Sequence, residues 1–195
     1  MKTRSPSQNP HITIEQAISR LLNGEVGVMP TDTVYGLVAR AHNEPAVTRL
    51  YSLKHRDHKP GTVIAADLTQ LRQLGISESY LEKAGQWWPN PLSIILPTGD
   101  EFTYLHQGVG DIAIRVVIDE SLKQILEITG PLLTSSANQP GKPGSTTIAE
   151  AWNYFEDSID FYVDGGDLSG RTPSTIIRLT NTHEVEVIRA GAVKF

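Results

Sequence analysis

The chain has 195 residues and is acidic, with 22 Asp and Glu against 17 Lys and Arg. This length favours one domain whose core is large enough to be stable without covalent cross-links. The sequence contains no cysteine, which excludes disulfides, thiolate metal sites and a cysteine nucleophile. No apolar run approaches the roughly 18 residues that span a bilayer, and the polar start of the chain does not resemble a signal peptide. We therefore expect a cytoplasmic protein with no membrane partner, organised as a single domain over residues 1–195 with a flexible tail over residues 1–11.

Capping signals and apolar periodicity predict alternating helices and strands. Thr13 and Gln16 have capping-box spacing and begin a helix that ends at Gly24, and Thr147 and Glu150 repeat that spacing. Further helices are predicted over residues 43–51, 77–84 and 122–130, and strands over residues 25–29, 62–66, 92–96, 112–117, 131–134, 161–163, 174–179 and 184–188. In the last of these strands valines alternate with glutamates, which predicts one wet face. This order of elements predicts a mixed α/β domain.

Positive charge is concentrated in the first part of the chain. Residues 1–60 carry a net charge of +3, whereas the remaining residues carry −8. The densest positive stretch is residues 54–59, which read Lys-His-Arg-Asp-His-Lys. A protein that coats nucleic acid would show a broad basic face, so a local focus in an acidic chain better suits a small polyanion such as a nucleotide. The alternative is a solvated basic turn that complements the dipole of the preceding helix.

Three further segments collect polar residues that a core does not need. Residues 30–37, predicted as a loop after the first strand, either hold a ligand at the strand end or form a hydroxyl-capped turn. Residues 135–147 are rich in Ser, Asn, Gly and Pro and precede a helix, as in a phosphate cradle, although the P-loop spacing is absent. The tail supplies Arg171, residues 174–175 and residues 189–191. Five cations are predicted to offset a triphosphate and a carboxylate: Lys54, Arg56, Lys59, Arg115 and Arg189.

Metal and covalent chemistry have little support in the sequence. Residues 164–167 (Asp-Gly-Gly-Asp) are more typical of a turn than of a metal site, because flexible glycines separate the carboxylates. The six histidines show no metal-binding spacing, and no serine has a credible His and Asp pair. We therefore expect no metal ligand from the protein.

Taken together and in this order, the polar segments resemble the YrdC/TsaC family of threonylcarbamoyl-AMP synthases from about residue 12 to residue 193. The resemblance rests on PTDTVYGL (30–37), Lys54 and Arg56 with Lys59, WPNP (88–91), IAIR (112–115), SSAN (135–138), Ser174 with Thr175, and RAG (189–191). Three positions depart from the family pattern. Asp57 replaces a common proline, Asn90 a common glycine, and Ser93 a frequent threonine. Asp57 is expected either to neutralise part of the site or to point outward.

The resemblance implies a fold, a reaction and partners. The fold would be a twisted, open, mixed parallel and antiparallel sheet with flanking helices, in the single-domain form of the family. The reaction would condense L-threonine, bicarbonate and ATP to threonylcarbamoyl-AMP and pyrophosphate, with Mg²⁺ accompanying ATP. The product would serve N6-threonylcarbamoyladenosine formation at position 37 of tRNA, made by a separate threonylcarbamoyltransferase complex, with at most a weak RNA contact by this chain.

The resemblance also implies residue roles. Lys54 and Arg56 would be catalytic. ATP would be bound by Lys54, Arg56, Lys59, Asn138, Thr146 and Arg189, and threonine with its carbamate by Thr33, Arg115, Ser136 and Ser174. Two alternatives use the same fold: an RNA-binding or ribosome-assembly module, and a paralogue without synthase activity. The acidity of the chain argues against the first alternative, and the intact motif residues argue against the second.

Overall fold

The computed structural model describes residues 12–179 and 185–195, so the predicted tail over residues 1–11 lies outside the described residues. Within these ranges, the helices are α1 (Ile14–Leu22), α2 (Glu44–Leu53), α3 (Leu68–Arg72), α4 (Glu78–Gly85), α5 (Thr103–His106), α6 (Glu120–Thr129) and α7 (Ile148–Phe155). The strands are β1 (Gly27–Pro30), β2 (Tyr35–Arg40), β3 (Thr62–Ala65), β4 (Leu92–Pro97), β5 (Asp111–Val116), β6 (Leu132–Ser136), β7 (Phe161–Tyr162), β8 (Thr175–Leu179) and β9 (Val185–Arg189).

All of these strands belong to one sheet in the order β7-β1-β2-β6-β3-β5-β4-β8-β9. The pairs β1–β7, β3–β5 and β4–β8 are parallel, and the other neighbouring pairs are antiparallel. This arrangement confirms the predicted mixed sheet with flanking helices.

Both faces of the sheet are buried along much of its length. Val63 and Ile64 are neighbours in β3 but belong to separate apolar clusters, and Leu133 and Leu132 in β6 divide in the same way. Since successive side chains of a strand point to opposite faces, the two clusters lie on opposite sides of the sheet. Helices α1 and α6 pack on the face that carries Ile64.

Helix starts are set by local hydrogen bonds. Thr13 accepts from the Gln16 amide and its own amide donates to the Gln16 side chain, which confirms the predicted capping box of α1. At α7, Thr147 accepts from the Glu150 amide, but the Glu150 carboxylate reaches past it to the amide and hydroxyl of Thr146. The second capping box is therefore only half formed, because the carboxylate bonds one residue further out.

The structure corrects three predictions for strands. Residues 30–37 are not all loop, because Tyr35 begins β2, whose residues are buried except at its end. Strand β6 extends to Ser136, so the predicted loop begins two residues later than Ser135. Strand β9 has no buried face: only Val185 is half-buried, since β9 is the edge of the sheet and nothing described covers it. Glu184, predicted as the start of this strand, lies outside the described residues.

Candidate functional site

A cavity of about 730 Å³ lies over the part of the sheet that α1 and α6 leave uncovered. Arg115 pairs with Ile64 in the β3–β5 register and Thr134 pairs with Val38 in the β2–β6 register, which places both cavity residues on the face that these helices cover elsewhere. The cavity extends across β3, β5, β4, β8 and β9. Its volume is typical of a site for a small molecule of nucleotide size.

The charge of the cavity comes mainly from arginine. Five arginines line it: Arg56, Arg115, Arg171, Arg178 and Arg189. Burial lowers the pKa of Arg189, and the nearby positive charges of Arg115 and Arg56 lower it further. The guanidinium stays protonated at neutral pH, so Arg189 keeps its charge although burial and, to a smaller extent, the neighbouring arginines disfavour it. An anionic ligand would relieve the repulsion among these arginines.

Arg115 is held rigidly inside the cavity wall. Its Nε and Nη2 donate to the two carboxylate oxygens of Asp32 at 3.0 and 2.7 Å, and its Nη1 donates to Ser93 Oγ at 3.0 Å. The side chains of Arg115 and Asp32 are 3% and 0% exposed, so this pair is shielded from water. The bidentate geometry fixes the guanidinium plane.

Arg189 is anchored to Ser174, the residue immediately before the neighbouring strand β8. Its Nε and Nη2 donate to the Ser174 carbonyl oxygen at 3.2 and 2.6 Å, and Nη2 also lies 3.0 Å from Ser174 Oγ. The sequence left open whether the Arg189 side chain turns to solvent or back over the sheet, and the structure shows that it turns back over the sheet. Arg189 was predicted to follow the last strand, but it is the last residue of β9.

The turn at residues 31–34 both caps itself and faces the cavity. The Thr31 hydroxyl donates to the Val34 carbonyl oxygen at 2.6 Å and accepts from the Thr33 amide at 3.3 Å. Arg171 Nη1 donates to the Thr31 carbonyl oxygen at 3.0 Å. Thr33 lines the cavity. The two sequence interpretations of this segment therefore coexist, with Thr31 forming the turn and Thr33 facing the cavity.

Lys54 lies behind the Ser136–Asn138 loop and is almost fully buried. Its ammonium donates to Ser136 O and Asn138 Oδ1, each at 2.8 Å, and to Asn138 O. Burial, with a smaller contribution from Arg56, lowers the pKa of Lys54 to about 8. Ser136 Oγ donates to Asn138 Oδ1 at 2.6 Å, so the lysine and the loop form one hydrogen-bonded unit. In this structure Lys54 shapes the cavity wall from behind.

A glutamine that the sequence analysis did not single out holds the basic segment. Gln107 Oε1 accepts from the Lys59 amide at 2.9 Å, and the Gln107 carbonyl oxygen lies 3.1 Å from His58 Nδ1. Arg56 Nη1 donates to the Pro60 carbonyl oxygen at 3.1 Å. The Asp57 side chain is 93% exposed, so this residue points outward, which decides between the two expectations for it.

The structure brings together most of the predicted site residues. Those that line the cavity are Thr33, Arg56, Arg115, Ser136, Thr146, Ser174 and Arg189; those that do not are Lys54, Lys59 and Asn138. Sequence reasoning assigned no specific site role to Asp32, Ser93, Gln107 or Arg178, although Asp32 lies in the candidate segment 30–37 and Ser93 was noted as a departure from the family pattern. Each of these contacts a residue that is distant in the chain, and no local spacing identifies such a partner.

Neither a metal-binding cluster nor a membrane-spanning helix is found among the described residues. Among residues 12–179 and 185–195, no group of three or more His, Asp or Glu side chains has the arrangement of a metal site. No helix in the same ranges has the length and apolar character needed to cross a bilayer. Residues 164–167 lie in a loop that Tyr35 anchors, since its hydroxyl donates to Gly166 O and accepts from the Gly165 amide.

Comparison with known proteins gives matches along most of the chain. Residues 19–191 match the family model of Sua5, YciO and YrdC, described as telomere recombination. A Pseudomonas putida (strain GB-1) protein named threonylcarbamoyl-AMP synthase is 32% identical over 184 residues, which are 91% of this chain and 97% of that protein. Escherichia coli YciO has a TM-score of 0.79 at 27% identity, with 93% of this chain and 90% of that chain covered.

A second solved structure has a bound amino acid. P. abyssi Sua5 complexed with L-threonine has a TM-score of 0.81 at 31% identity, with 91% of this chain covered. The match covers 54% of the P. abyssi chain, so the present chain spans about half the length of that protein.

Proposed function

Because the chain belongs to the family of Sua5, YciO and YrdC proteins, we propose that it condenses L-threonine, bicarbonate and ATP to threonylcarbamoyl-AMP and pyrophosphate. The observation that carries the proposal is the arginine-lined cavity, in which Arg115 is fixed by a buried ion pair with Asp32 and Arg189 by hydrogen bonds to Ser174. The names of the similar proteins support the same reaction, since one is a threonylcarbamoyl-AMP synthase and another was solved with L-threonine.

The reaction needs positioning more than a protein nucleophile. The threonine amine attacks the bicarbonate carbon, and loss of water leaves a carbamate. A carbamate oxygen then attacks the α-phosphorus of ATP, and the bond to the β-phosphate oxygen breaks to release pyrophosphate. Threonine carboxylate, bicarbonate and triphosphate all bear negative charge, so confining them without cations would be strongly unfavourable. Fixed guanidinium groups in a sheltered cavity offset this repulsion and hold the reactants together.

The geometry suggests which cavity residues would contact ATP and which would contact threonine. Arg56 and Arg189, with Thr146, would face the phosphates of ATP. Arg115 and Ser174, with Thr33 and Ser136, would hold threonine and the carbamate. Lys54 would support this arrangement through the Ser136–Asn138 loop, to which its ammonium is bonded. Direct ATP contacts by Lys59 and Asn138 stay predictions, since neither residue lines the cavity.

Mg²⁺ would enter with ATP as part of the substrate. Among the described residues, Asp111 is the acid that lines the cavity, and its carboxylate lies 3.4 Å from Arg178 Nη2. A lining dominated by arginine suits the oxygens of a phosphate chain better than a bare cation. We further propose that the protein acts in the cytoplasm and passes its product to a separate tRNA threonylcarbamoyltransferase complex, with at most a weak RNA contact of its own.

The test is pyrophosphate release from ATP with and without threonine and bicarbonate. The proposal requires release that depends on both. The Arg56→Ala substitution should abolish ATP binding, because it removes a cavity cation whose side chain, among the described residues, donates hydrogen bonds only to the Lys59 and Pro60 carbonyl oxygens. Arg72→Ala is the matched control, since Arg72 pairs with Glu78 on the surface and does not line the cavity. Absence of dependent release would favour a non-synthase paralogue, and RNA binding that survives physiological salt would favour the RNA-binding alternative.

A further inference from the structure

A buried hydroxyl, that of Ser93, connects Arg115 with the Ser174–Arg189 pair. Ser93 in β4 is 0% exposed, and its Oγ lies 3.0 Å from Arg115 Nη1 and 3.1 Å from Ser174 Oγ. Arg189 Nη2 also lies 3.0 Å from Ser174 Oγ. These four side chains form a continuous hydrogen-bonded row from β5 through β4 and the residue before β8 to β9, and these strands are neighbours in the sheet.

The direction of each hydrogen bond in this row follows from the donors available. Arginine side chains only donate, so Ser93 accepts from Arg115 and Ser174 accepts from Arg189. Ser93 is shielded from water, and within the described residues Ser174 Oγ is the only acceptor bonded to its hydroxyl. The Ser93 proton therefore goes to Ser174. Ser174 then accepts two hydrogen bonds, and its own proton is left to point into the cavity that it lines.

On the basis of the proposed function, we propose that Ser93 is a positioning residue that fixes the Ser174 hydroxyl as a hydrogen-bond donor to an anionic oxygen of threonine or its carbamate. A donor fixed in this way suits a carboxylate or carbamate oxygen, which only accepts. Ser93 also gives Arg115 its third bond, so the same hydroxyl holds two threonine-side donors in place.

The effect of removing Ser93 should fall on threonine and not on ATP. Arg189 is held mainly by the Ser174 carbonyl oxygen, through both Nε and Nη2, and a side-chain change at Ser93 leaves that contact intact. A role limited to packing would instead weaken both ligands together, because it would disturb the shared cavity wall. A loss of threonine affinity with unchanged ATP affinity therefore distinguishes a positioning role of Ser93 from a packing role.

The experiment is titration calorimetry of the full chain with L-threonine and, separately, with ATP. Ser93→Ala, and Ser93→Cys as a variant of similar volume with a weak donor, should each raise the threonine Kd roughly tenfold, the loss of one charge-assisted hydrogen bond, with the ATP Kd unchanged. Ser93→Thr keeps the hydroxyl and should restore threonine affinity. Thr98→Val is the matched control, because it removes a buried hydroxyl that has no hydrogen-bond partner among the described residues, just after the same strand.

Several results would overturn the proposed role of Ser93. An unchanged threonine Kd in Ser93→Ala and Ser93→Cys overturns the proposal, as does a parallel loss of ATP affinity or an equal effect of Thr98→Val. Failure of Ser93→Thr to restore affinity also overturns it. A wild-type protein that binds threonine but releases no pyrophosphate would refute the proposed function while the titrations still decide the role of Ser93.

Discussion

Replacing Asp32 with asparagine should destabilise the protein far more than breaking an equally well-formed surface pair. The substitution keeps the size of the side chain and one oxygen acceptor, but it leaves the Arg115 charge without a counter-ion in a site where both side chains are almost fully buried. Removing one partner of a buried ion pair costs about 3–5 kcal/mol, and the retained acceptor favours the lower end, about 3 kcal/mol. For a chain of this size, that corresponds to a fall in melting temperature of roughly 6–12 °C.

The assay is thermal and urea unfolding, and the chain supplies a matched control. Arg72 and Glu78 form the same bidentate geometry, with both distances 2.7 Å, but on the surface. Glu78→Gln should therefore leave the melting temperature nearly unchanged. Adding Arg115→Met to Asp32→Asn should recover most of the lost stability, since no buried charge then remains. Equal shifts for Asp32→Asn and Glu78→Gln, or no recovery in the double variant, would refute the argument from burial.

Two further predictions concern pH and backbone packing. Because burial lowers the pKa of Lys54 from 10.5 to about 8, the unfolded chain binds more protons than the native state between pH 8 and pH 10.5. The unfolding free energy of the wild type, measured by urea titration relative to Lys54→Met, should therefore rise with pH across this window. A fall would contradict the burial of a charged lysine. A Cβ on Gly191 would lie 2.5 Å from the Ser174 carbonyl carbon, so Gly191→Ala should lower the free energy of unfolding by about 1–3 kcal/mol and weaken ATP binding. Gly170→Ala, whose added Cβ meets no atom within 4 Å, should do neither. Equal melting temperatures for these two variants would show that the backbone at Ser174 shifts without cost.

Local signals in the sequence predicted most of the secondary structure. Helix starts were predictable because a cap and its amide lie within a few residues of each other, as at Thr13 and Asn43. Strand β2 was missed because its buried residues follow the polar residues 31–33 without alternation, so the whole segment resembled a loop. The lack of a buried face on β9 also depends on the order of strands, which local periodicity does not determine.

The candidate site was predictable in its charges but not in their partners. Arg115 was noticeable because a fixed charge inside a strand is unusual, yet Asp32 lies far from it in the chain. Ser93 meets Ser174 only because β4 and β8 pair in parallel, a register that no local pattern specifies. Lys54 belonged to a conspicuous basic cluster, but whether its ammonium meets a ligand or a backbone carbonyl depends on how the Ser136–Asn138 loop folds over it.

The order of strands has a consequence for how the protein is made. Strand β4 receives its outer neighbour, β8, only after residues 98–174 have been added to the growing chain, and β9 follows β8. Until then the growing sheet exposes an unpaired edge, the kind of surface that invites aggregation and chaperone binding. A chain stopped before Arg189 would lack a cavity wall even if its earlier strands had folded.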